Sequence, residues 1–374
     1  MSDVVRDRPV PDEGLLARAR GGSESSFAQI VDPYRGELQA HCYRMLGSTQ
    51  DAEDALQETL LRAWKGLDRF EGRSSLRSWL YRIATNACLD SIDRRPKRVL
   101  PIDYGPAADP HDGPGAPLVE TVWMEPIADE TLAIEDGLAS PEARYEQRES
   151  VELAFVAAMQ HLPANQRAAL ILKDVIGFSA QEIADSLETS TASVNSALQR
   201  ARATVDDKLP ERSQQETLRV MGDEKLNEVI DAYMKALQND DVDGVVSLLT
   251  EDAAWSMPPA QAWFGPRSTV VHFLRLGPLN GEWRWKRMVT RANGQPAVAA
   301  YTWVPDEECY LPFALDVLTF DSQGQISDVT AFITRTTELD DPEDFKAWPH
   351  HPLDPGPRGR LFESFGLPAR IDAD

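Results

Sequence analysis

The sequence predicts a chain of several domains, two of them all-helical and a third that mixes helices with strands. Three observations predict this fold class. Residues 15–95 and 150–209 repeat apolar side chains at helical spacing. Residues 96–149 are rich in proline, glycine and acidic side chains, and residues 223–337 combine two helical patterns with strand-like segments. The length of 374 residues suits two or three domains.

The first helical domain, residues 15–95, contains its strongest helical pattern at Asp51–Lys65. This segment is acidic at its start and basic at its end, as the helix dipole favours, and its apolar positions share one face. The segment Gly66–Ser74 interrupts the pattern, and a further helix is predicted over Ser75–Arg95.

Residues 96–149 are predicted to be an acidic, flexible linker, because prolines and acidic side chains leave them without a core of their own. A loop this long in a compact protein often has a function. The segment Trp123–Pro126 is a candidate anchoring point within it.

The second helical domain, residues 150–209, contains the pattern of a helix-turn-helix. Ser179 is placed to cap the first helix, and Glu182 follows three residues later, as a capping box requires. The polar segment Glu188–Ser190 stands where a glycine turn is usual. An ordinary helical hairpin within an all-α core is the alternative interpretation.

The second helix of this motif is predicted from about Thr191 to Arg202. Val194, Leu198 and Ala201 recur at the spacing of one buried face. The side chains on the other face can reach base edges and phosphates. They are Ser193, Asn195, Ser196, Gln199, Arg200 and Arg202.

The third domain, residues 223–337, is predicted to be α+β. Helical patterns cover Glu224–Gln238 and Val242–Leu249, and the turns Asn293-Gly294 and Gln323-Gly324 separate strands. The predicted strands are Ala253–Met257, Trp283–Arg291, Gln295–Trp303, Phe313–Phe320 and Ile326–Ile333. Residues 338–374 form a proline-rich tail, irregular apart from a short apolar piece at Leu361–Leu367.

Composition restricts the function. A net charge of −23 argues against a free-standing DNA-binding protein, because such proteins draw affinity from basic side chains near phosphates. No apolar stretch is long enough to span a membrane, and the N-terminus lacks the pattern of a signal peptide. Cys42, Cys88 and Cys309 have no metal-ligand spacing and suit reduced thiols in a cytoplasm. We therefore expect no metal and no cofactor.

Two blocks of the helical half resemble an extracytoplasmic-function (ECF) sigma factor, the subunit that directs bacterial RNA polymerase to promoters. Residues 27–95, FAQIVDPYRGELQAHC through SIDRR, are similar to sigma region 2. Residues 161–202, HLPANQRAALILKDVIGFSAQEIADSLETSTASVNSALQRAR, are similar to sigma region 4. The resemblance implies two partners, the RNA polymerase core enzyme and promoter DNA.

The resemblance implies that the helix Asp51–Trp64 docks on the polymerase clamp. An acidic, partly apolar helix face suits a basic coiled-coil partner, whereas a solvated face is the alternative. The residues that match the docking positions are Asp51, Glu53, Asp54, Gln57, Glu58, Leu61 and Trp64.

The resemblance also implies that Phe70–Ser75 captures a flipped base of the −10 promoter element, with the following helix gripping the opened strand. The matching residues are Phe70, Arg73, Ser74, Arg77, Arg82, Asn86 and Arg94. Trp79 fits strand contact and core packing equally well.

The implied reader of the −35 element is the second helix of the helix-turn-helix. The sequence departs from the family here, because Asn195 and Ala197 stand where basic residues are common. Fewer phosphate charges weaken binding, so we expect this reader either to depend on the polymerase that holds it or to recognise a different −35 sequence. Lys173 is a further candidate phosphate contact, and the acidic linker is expected to run toward the RNA exit channel or to act as a spacer.

Residues 223–337 resemble the SnoaL-like, cone-shaped α+β barrel, on the pieces YMKALQNDDVDGVVSLLTEDAAWSMPP and ISDVTAFITR. Related folds include isomerases, cyclases and non-catalytic pockets, so the fold does not decide the function. The resemblance to fused sigma factors implies regulation in cis, through contact between this domain and the sigma domains. The candidate pocket residues are Trp255, His272, Trp303 and Asp316, with Asp252 as a further titratable group. For most of the tryptophans in this domain, packing between the sheet and the helices is the favoured alternative.

Two other functions compete with the sigma-factor interpretation. The first is a SnoaL-like small-molecule-binding protein or isomerase-type enzyme with a helical partner-binding arm, which would show ligand binding or turnover. The second is a repressor that binds a palindrome as a dimer. The acidic charge and the region 2 block argue against a repressor.

Overall fold

The computed structural model describes residues 12–72, 74–94, 97–115, 123–132, 148–336, 348 and 350–373. The chain divides into two compact units. The helical unit contains the residues up to Arg98 together with Asp129–Pro210. The C-terminal unit contains Val99–Ala128 together with Glu211–Asp374.

The α-helices and β-strands of the described residues are numbered here in chain order. The helices are α1 (Glu13–Arg20), α2 (Glu24–Val31), α3 (Arg35–Leu46), α4 (Thr49–Gly66), α5 (Leu76–Ile92), α6 (Pro101–Tyr104), α7 (Leu153–Gln160), α8 (Ala164–Leu170), α9 (Ala180–Ser186), α10 (Thr191–Asp206), α11 (Gln214–Met221), α12 (Asp223–Gln238), α13 (Val242–Leu248), α14 (Arg267–Leu276) and α15 (Leu361–Ser364). The strands are β1 (Leu249–Ser256), β2 (Trp263–Phe264), β3 (Trp285–Ala292), β4 (Gln295–Val304), β5 (Cys309–Phe320), β6 (Ile326–Ile333) and β7 (Ile371–Asp372).

The helical unit is built around α3, whose side chains from Leu38 to Leu46 are all buried. Helices α4 and α5 pack against it and against each other. Serines begin both helices: the hydroxyl of Ser48 accepts the N–H of Asp51, and that of Ser75 accepts the N–H of Ser78. Gly47 ends α3 in the left-handed conformation, with φ of 69°, which glycine adopts without strain.

The C-terminal unit is an α+β domain with one mixed sheet, in the order β2-β1-β6-β5-β4-β3, and β7 pairs with β5. Strands β1 and β6 are parallel, and the other neighbours are antiparallel. One side of the sheet packs against α12 and α14 and forms the core with Tyr233, Val298, Ala314 and Val329. We call this the core side of the sheet. The predicted fold class, two all-α parts and an α+β part, is confirmed.

The predicted turns are present, and the boundaries of the predicted strands shift by a few residues. Asn293 and Gly294 form the two-residue connection between β3 and β4, and both have positive φ, 56° and 72°. The sequence pattern does not predict the short strands β2 and β7, because a strand of two residues shows no periodicity. It also does not predict helix α14, which lies between proline-containing turns. The apolar piece of the tail contains α15, where Phe362 is buried beside the ring of Tyr301.

The first part of the expected linker lies on the C-terminal unit. The N–H of Ala108 donates to the carbonyl of Trp263 at 2.8 Å, and Trp263 Nε1 donates to the carbonyl of Gly105 at 2.8 Å. Asn293 and Ile127 exchange two hydrogen bonds, of 2.9 and 3.1 Å. Trp123, the expected anchor, is buried. Composition predicted a segment without a core, but Val99–Ala128 is part of the compact C-terminal unit, which is otherwise distant in sequence.

Candidate nucleic-acid interface

Helix α10 has the geometry of a recognition helix. Val194, Leu198 and Ala201 are buried, as the periodicity predicts. The hydroxyl of Ser190 accepts the N–H of Ser193 and begins the helix. The six predicted base- and phosphate-contacting side chains are exposed: Ser193, Asn195, Ser196, Gln199, Arg200 and Arg202.

The preceding helix and turn hold α10 in place. Ser179 and Glu182 form the predicted capping box of α9. The carboxylate of Glu182 accepts bonds from the N–H and the hydroxyl of Ser179, and these bonds outweigh burial and lower its pKa. Glu188 has φ of 51°, so a left-handed residue that is not glycine forms the turn. Arg202 is paired with Asp174 at 2.6 Å, which leaves Arg200 as the less restrained cation of this face.

The predicted −10 residues have different environments. Phe70 is buried, and its ring lies 5.0 Å from that of Trp79, which is half-buried. Arg77 is largely buried, donates to Glu37 at 3.0 Å and lies over the ring of Tyr81. The side chains of Ser74, Arg82 and Arg94 are exposed, Asn86 is half-buried, and Arg73 lies outside the described residues.

Helix α5 contacts the helix-turn-helix within the helical unit. Arg82 Nη2 lies 3.1 Å from Glu188 Oε1, and Ser78, one turn earlier, donates to Glu182 at 3.5 Å. The rings of Tyr81 and Phe178 meet edge to face with centroids 5.4 Å apart. Arg82, a predicted −10 contact, is therefore paired with a residue of the helix-turn-helix that carries the predicted −35 face.

Two buried arginines, which the sequence did not single out, fasten the two halves of this unit. Arg44 on α3 donates to the carbonyl of Ser150 at 3.1 Å. Arg167 on α8 donates to the carbonyl of Met45 and to Gln160 Oε1. Burial lowers the pKa of each to about 10. Their position within apolar helix faces was the available signal, since an arginine there needs buried acceptors.

The predicted polymerase-docking residues on α4 fall into two groups. Asp51 is buried and pairs with Arg98, and Trp64 packs edge to face on Phe27, so both support the fold. Arg62 bridges Glu58 and Asp90, at 2.7 and 2.9 Å. The exposed residues of the predicted surface are Glu53, Asp54, Gln57, Glu58 and Leu61, and Leu61 is 53 % exposed.

Comparisons with known proteins assign the family. Residues 30–98 match the model of sigma-70 region 2, residues 152–205 match sigma-70 region 4, and residues 230–329 match a SnoaL-like domain. The ECF RNA polymerase sigma factor SigG of Mycobacterium tuberculosis is 43 % identical over 336 residues, 88 % of each chain. The chain belongs to the ECF sigma factor family.

Other relatives match less of this sigma factor. SigW of Bacillus subtilis is 29 % identical over 194 residues, 52 % of this chain and 94 % of its own. The crystal structure of SigJ from Mycobacterium tuberculosis covers 82 % of this chain at 23 % identity, with a TM-score of 0.49. As a sigma factor, the protein directs RNA polymerase to promoters and initiates transcription there.

The structure separates the predicted pocket residues of the sigma factor's C-terminal unit. Trp255 and Asp316 lie on the core side of the sheet. Trp303 points to the opposite side, where its ring lies 5.2 Å from Tyr310. His272 lies on α14 beside His111, with ring centroids 5.3 Å apart, and Asp252 is exposed on β1. The four residues therefore do not form one pocket.

Within the described residues, no helix is long and apolar enough to cross a membrane, and no cluster of side chains has the make-up of a metal site. The three cysteines are free and buried. Burial, followed by a hydrogen bond with Cys42, raises the pKa of Cys88 well above its usual value. The thiol of Cys88 is therefore a poor nucleophile.

Proposed function

We propose that α4, α5 and α10 are the three contact elements of this sigma factor. In this proposal, the exposed face of α4 binds the polymerase core, α5 with the preceding loop contacts the −10 element, and α10 contacts the −35 element. The observation that carries the proposal is the face of α10, where six polar side chains are exposed above a buried apolar stripe.

The distribution of charge supports DNA binding by an acidic chain. Residues 1–98 contain 16 Lys and Arg against 15 Asp and Glu, whereas residues 211–374 contain 15 against 27. The acidic surplus therefore lies mostly outside the region 2 block. The α10 face has two arginines, so its phosphate attraction is small and the polymerase must supply the remaining affinity.

Promoter binding requires the contacts between α5 and the helix-turn-helix to open. Arg82 cannot neutralise a phosphate while its guanidinium is paired with the carboxylate of Glu188. We interpret the described arrangement as the resting form, in which the two promoter-binding elements cover each other. Polymerase binding would hold them apart in the cytoplasm, where transcription takes place.

The C-terminal unit is proposed to regulate in cis through binding, without catalysis. The support is that Val99–Ala128, part of the connection between regions 2 and 4, packs on this unit. Because this connection, which we call the tether, is hydrogen-bonded to the C-terminal unit at Trp263 and Asn293, it spans a shorter distance than a free chain of the same length. The C-terminal unit can therefore limit how far the promoter-binding elements separate.

Two experiments test these proposals. Core RNA polymerase with the full-length protein should initiate at a defined set of promoters in a genomic run-off screen, and failure to initiate at any promoter contradicts the contact proposal. For regulation, we expect Asn293→Gly to change promoter output and to speed hydrogen exchange in residues 123–128, because it keeps the turn and removes the bond that Asn293 Oδ1 accepts from the N–H of Ile127. Faster exchange with unchanged output contradicts regulation through the tether.

A further inference from the structure

Helix α1 is hydrogen-bonded to the main chain at the point where the loop before α5 begins. Arg20, the last residue of α1, donates from Nη2 to the carbonyl of Phe70 at 2.6 Å. It also donates from Nε to the carbonyl of Leu67 in a longer contact of 3.4 Å. Residues 30–98 match sigma-70 region 2, so Arg20 lies outside the matched block and contacts two carbonyls inside it.

The turn after α1 places Arg20 at the end of its helix. The N–H of Ser23 donates back to the carbonyl of Arg18 at 3.1 Å, and Gly22 has φ of 91°, in the left-handed region that glycine adopts without strain. Ala19 is buried and anchors the last turn of the helix. Helix α1 packs against α2 and against the turn Leu67–Arg69. The side chain of Arg20 is therefore supported from a fixed backbone.

The carbonyls that accept these bonds belong to the turn after α4. Leu67–Arg69 is a single 3₁₀ turn, closed by the N–H of Phe70, which donates to the carbonyl of Leu67 at 3.2 Å. Phe70 then leaves the helical conformation, with ψ of 101°. Because the peptide group is planar, a bond to the carbonyl of Phe70 fixes the peptide that joins Phe70 to Glu71. Arg20 thereby sets the direction in which the loop leaves α4.

The exposed part of the loop lies between two fixed ends. Glu71, Gly72 and Ser74 are exposed, and Gly72 has φ of 70°. The hydroxyl of Ser75 begins α5 and fixes the far end, whereas the bonds of Arg20 fix the near end. A loop that is already ordered binds a flipped base more tightly than a mobile one, because no ordering cost is subtracted from the binding free energy.

The bonding partners of Arg20 leave its charge in place. Both acceptors are neutral carbonyls, and within the described part of the chain the guanidinium forms no ion pair. A guanidinium stays protonated, so its positive charge remains beside the loop and attracts a phosphate as well. A test must therefore separate position from charge. Arg18, two residues earlier on the same helix, is exposed and has the same charge.

We propose that Arg20 is a positioning residue for promoter opening, whose bonds to the main chain hold the loop Phe70–Ser75 in the shape that captures a flipped base of the −10 element. The inference rests on the proposed contact between this loop and the −10 element. Lysine cannot replace Arg20, because a single ammonium group lacks the planar fork of donors that reaches both carbonyls.

Hydrogen exchange in the free, full-length protein tests the positioning without a promoter. Arg20→Met and Arg20→Lys should each speed exchange of the amides of residues 67–72 about tenfold, because the near end of the loop is released. Arg18→Met removes an equal charge from the same helix and should leave this exchange unchanged. Thermal unfolding confirms that each variant is folded.

Strand capture is measured by fluorescence anisotropy with holoenzyme made from core RNA polymerase and the full-length protein. Two labelled probes come from a start site found by run-off transcription: the single non-template strand across the −10 element, and a duplex that contains only the −35 element. Both Arg20 variants should bind the single strand about tenfold more weakly than the wild type. They should bind the −35 duplex and the core with wild-type affinity. Arg18→Met should stay within about twofold of the wild type for every partner.

Weaker strand binding in folded Arg20 variants, with unchanged binding of the −35 duplex and the core, supports the inference, because a general loss of structure would weaken all three. Three results overturn it: wild-type exchange in residues 67–72, wild-type strand affinity in both Arg20 variants, or an equal loss in Arg18→Met, which would assign the effect to charge. If the wild-type holoenzyme finds no start site or binds no strand from it, the proposed −10 contact fails as well. Wild-type binding with unaffected variants rejects the role of Arg20 alone.

Discussion

Arg82 Nη2 on α5 lies 3.1 Å from Glu188 Oε1 in the turn of the helix-turn-helix. The pair joins a predicted −10 contact to the element that carries the predicted −35 face. Its side chains are 49 % and 76 % exposed, so it contributes at most about 1 kcal/mol. A contact this weak can hold a resting form and still be replaced by a phosphate.

Reversing one charge should open this contact, and reversing both should restore it. Dyes are attached at Asp68→Cys and Asp185→Cys, which are both exposed positions. Glu188→Arg should lower the energy transfer between these dyes, because it shifts the equilibrium from the closed to the open form by up to about fivefold. The double variant Arg82→Glu/Glu188→Arg should regain the transfer. The native cysteines are buried and escape labelling.

A transcription assay distinguishes the pairing of Arg82 with Glu188 from its predicted contact with the −10 element. Glu188→Arg should retain promoter activity, whereas the double variant should lose it despite restored packing, because the −10 contact has become anionic. Equal activity in the two variants would show that Arg82 does not contact the promoter.

Arg200 and Arg202 should differ in their contribution to −35 binding. Arg200→Ala should weaken holoenzyme binding and reduce the slope of log affinity against log salt by about 0.9, as expected for one lost phosphate contact. Arg202→Ala should have a smaller effect, since Asp174 already pairs with Arg202. Fluorescence anisotropy on a promoter fragment over a salt series measures both. A larger effect for Arg202 than for Arg200 contradicts this ranking.

Asp51 and Asp54 lie on the same helix, and we expect them to have different roles. Asp51→Ala leaves Arg98 buried without this carboxylate and should lower the free energy of unfolding by about 3–5 kcal/mol. Asp54→Ala, at an exposed position, should change stability by less than about 0.5 kcal/mol and weaken core binding. Chemical unfolding and core pull-down measure the two effects. If Asp54→Ala binds the polymerase core as strongly as the wild type, Asp54 is not part of the docking surface.

His41 should make the helical unit sensitive to acid. It is fully buried, its Nε2 lies 2.9 Å from the hydroxyl of Thr85, and burial followed by the charges of Arg44 and Arg77 lowers its pKa to about 3. Because the unfolded imidazole has a pKa near 6.5, the unfolded state binds the extra proton, and stability is complete above that pH. It should fall by up to about 1.4 kcal/mol per pH unit below 6.5.

His41→Gln should flatten this dependence between pH 6.5 and 4.5, whatever its effect on stability at pH 7. Chemical unfolding at each pH gives the slope, with Asp54→Ala as a folded control. A variant slope equal to that of the wild type assigns the acid sensitivity to other groups.

Local signals predicted the elements that depend on neighbouring residues. Two such features are the capping box of Ser179 and Glu182 and the turn at Asn293-Gly294. Both could be predicted because each depends on interactions within two to four consecutive residues. The buried face of α10 followed from its period. The exposed face of Asp54 and Leu61 on α4 followed in the same way.

Contacts between distant segments could not be predicted. Asp51 had the sequence position of a docking residue, but Arg98, 47 residues away, buries it. Trp303 and Asp316 are predicted to share one pocket, but Asp316 lies opposite Val298, and Trp303 follows Val298 by five residues on β4, so the two side chains lie on opposite sides of the sheet. The register between two strands cannot be read from either strand alone.

Run-off transcription with core RNA polymerase tests the central claim most directly. Transcripts from fragmented genomic DNA, made with and without the protein, are sequenced to find start sites. The proposed function predicts start sites that depend on the protein and share one −10 and −35 pair, with use of these sites reduced by Arg82→Glu and by Arg200→Ala. Start sites that are unchanged by the protein, or unaffected by both variants, would contradict it.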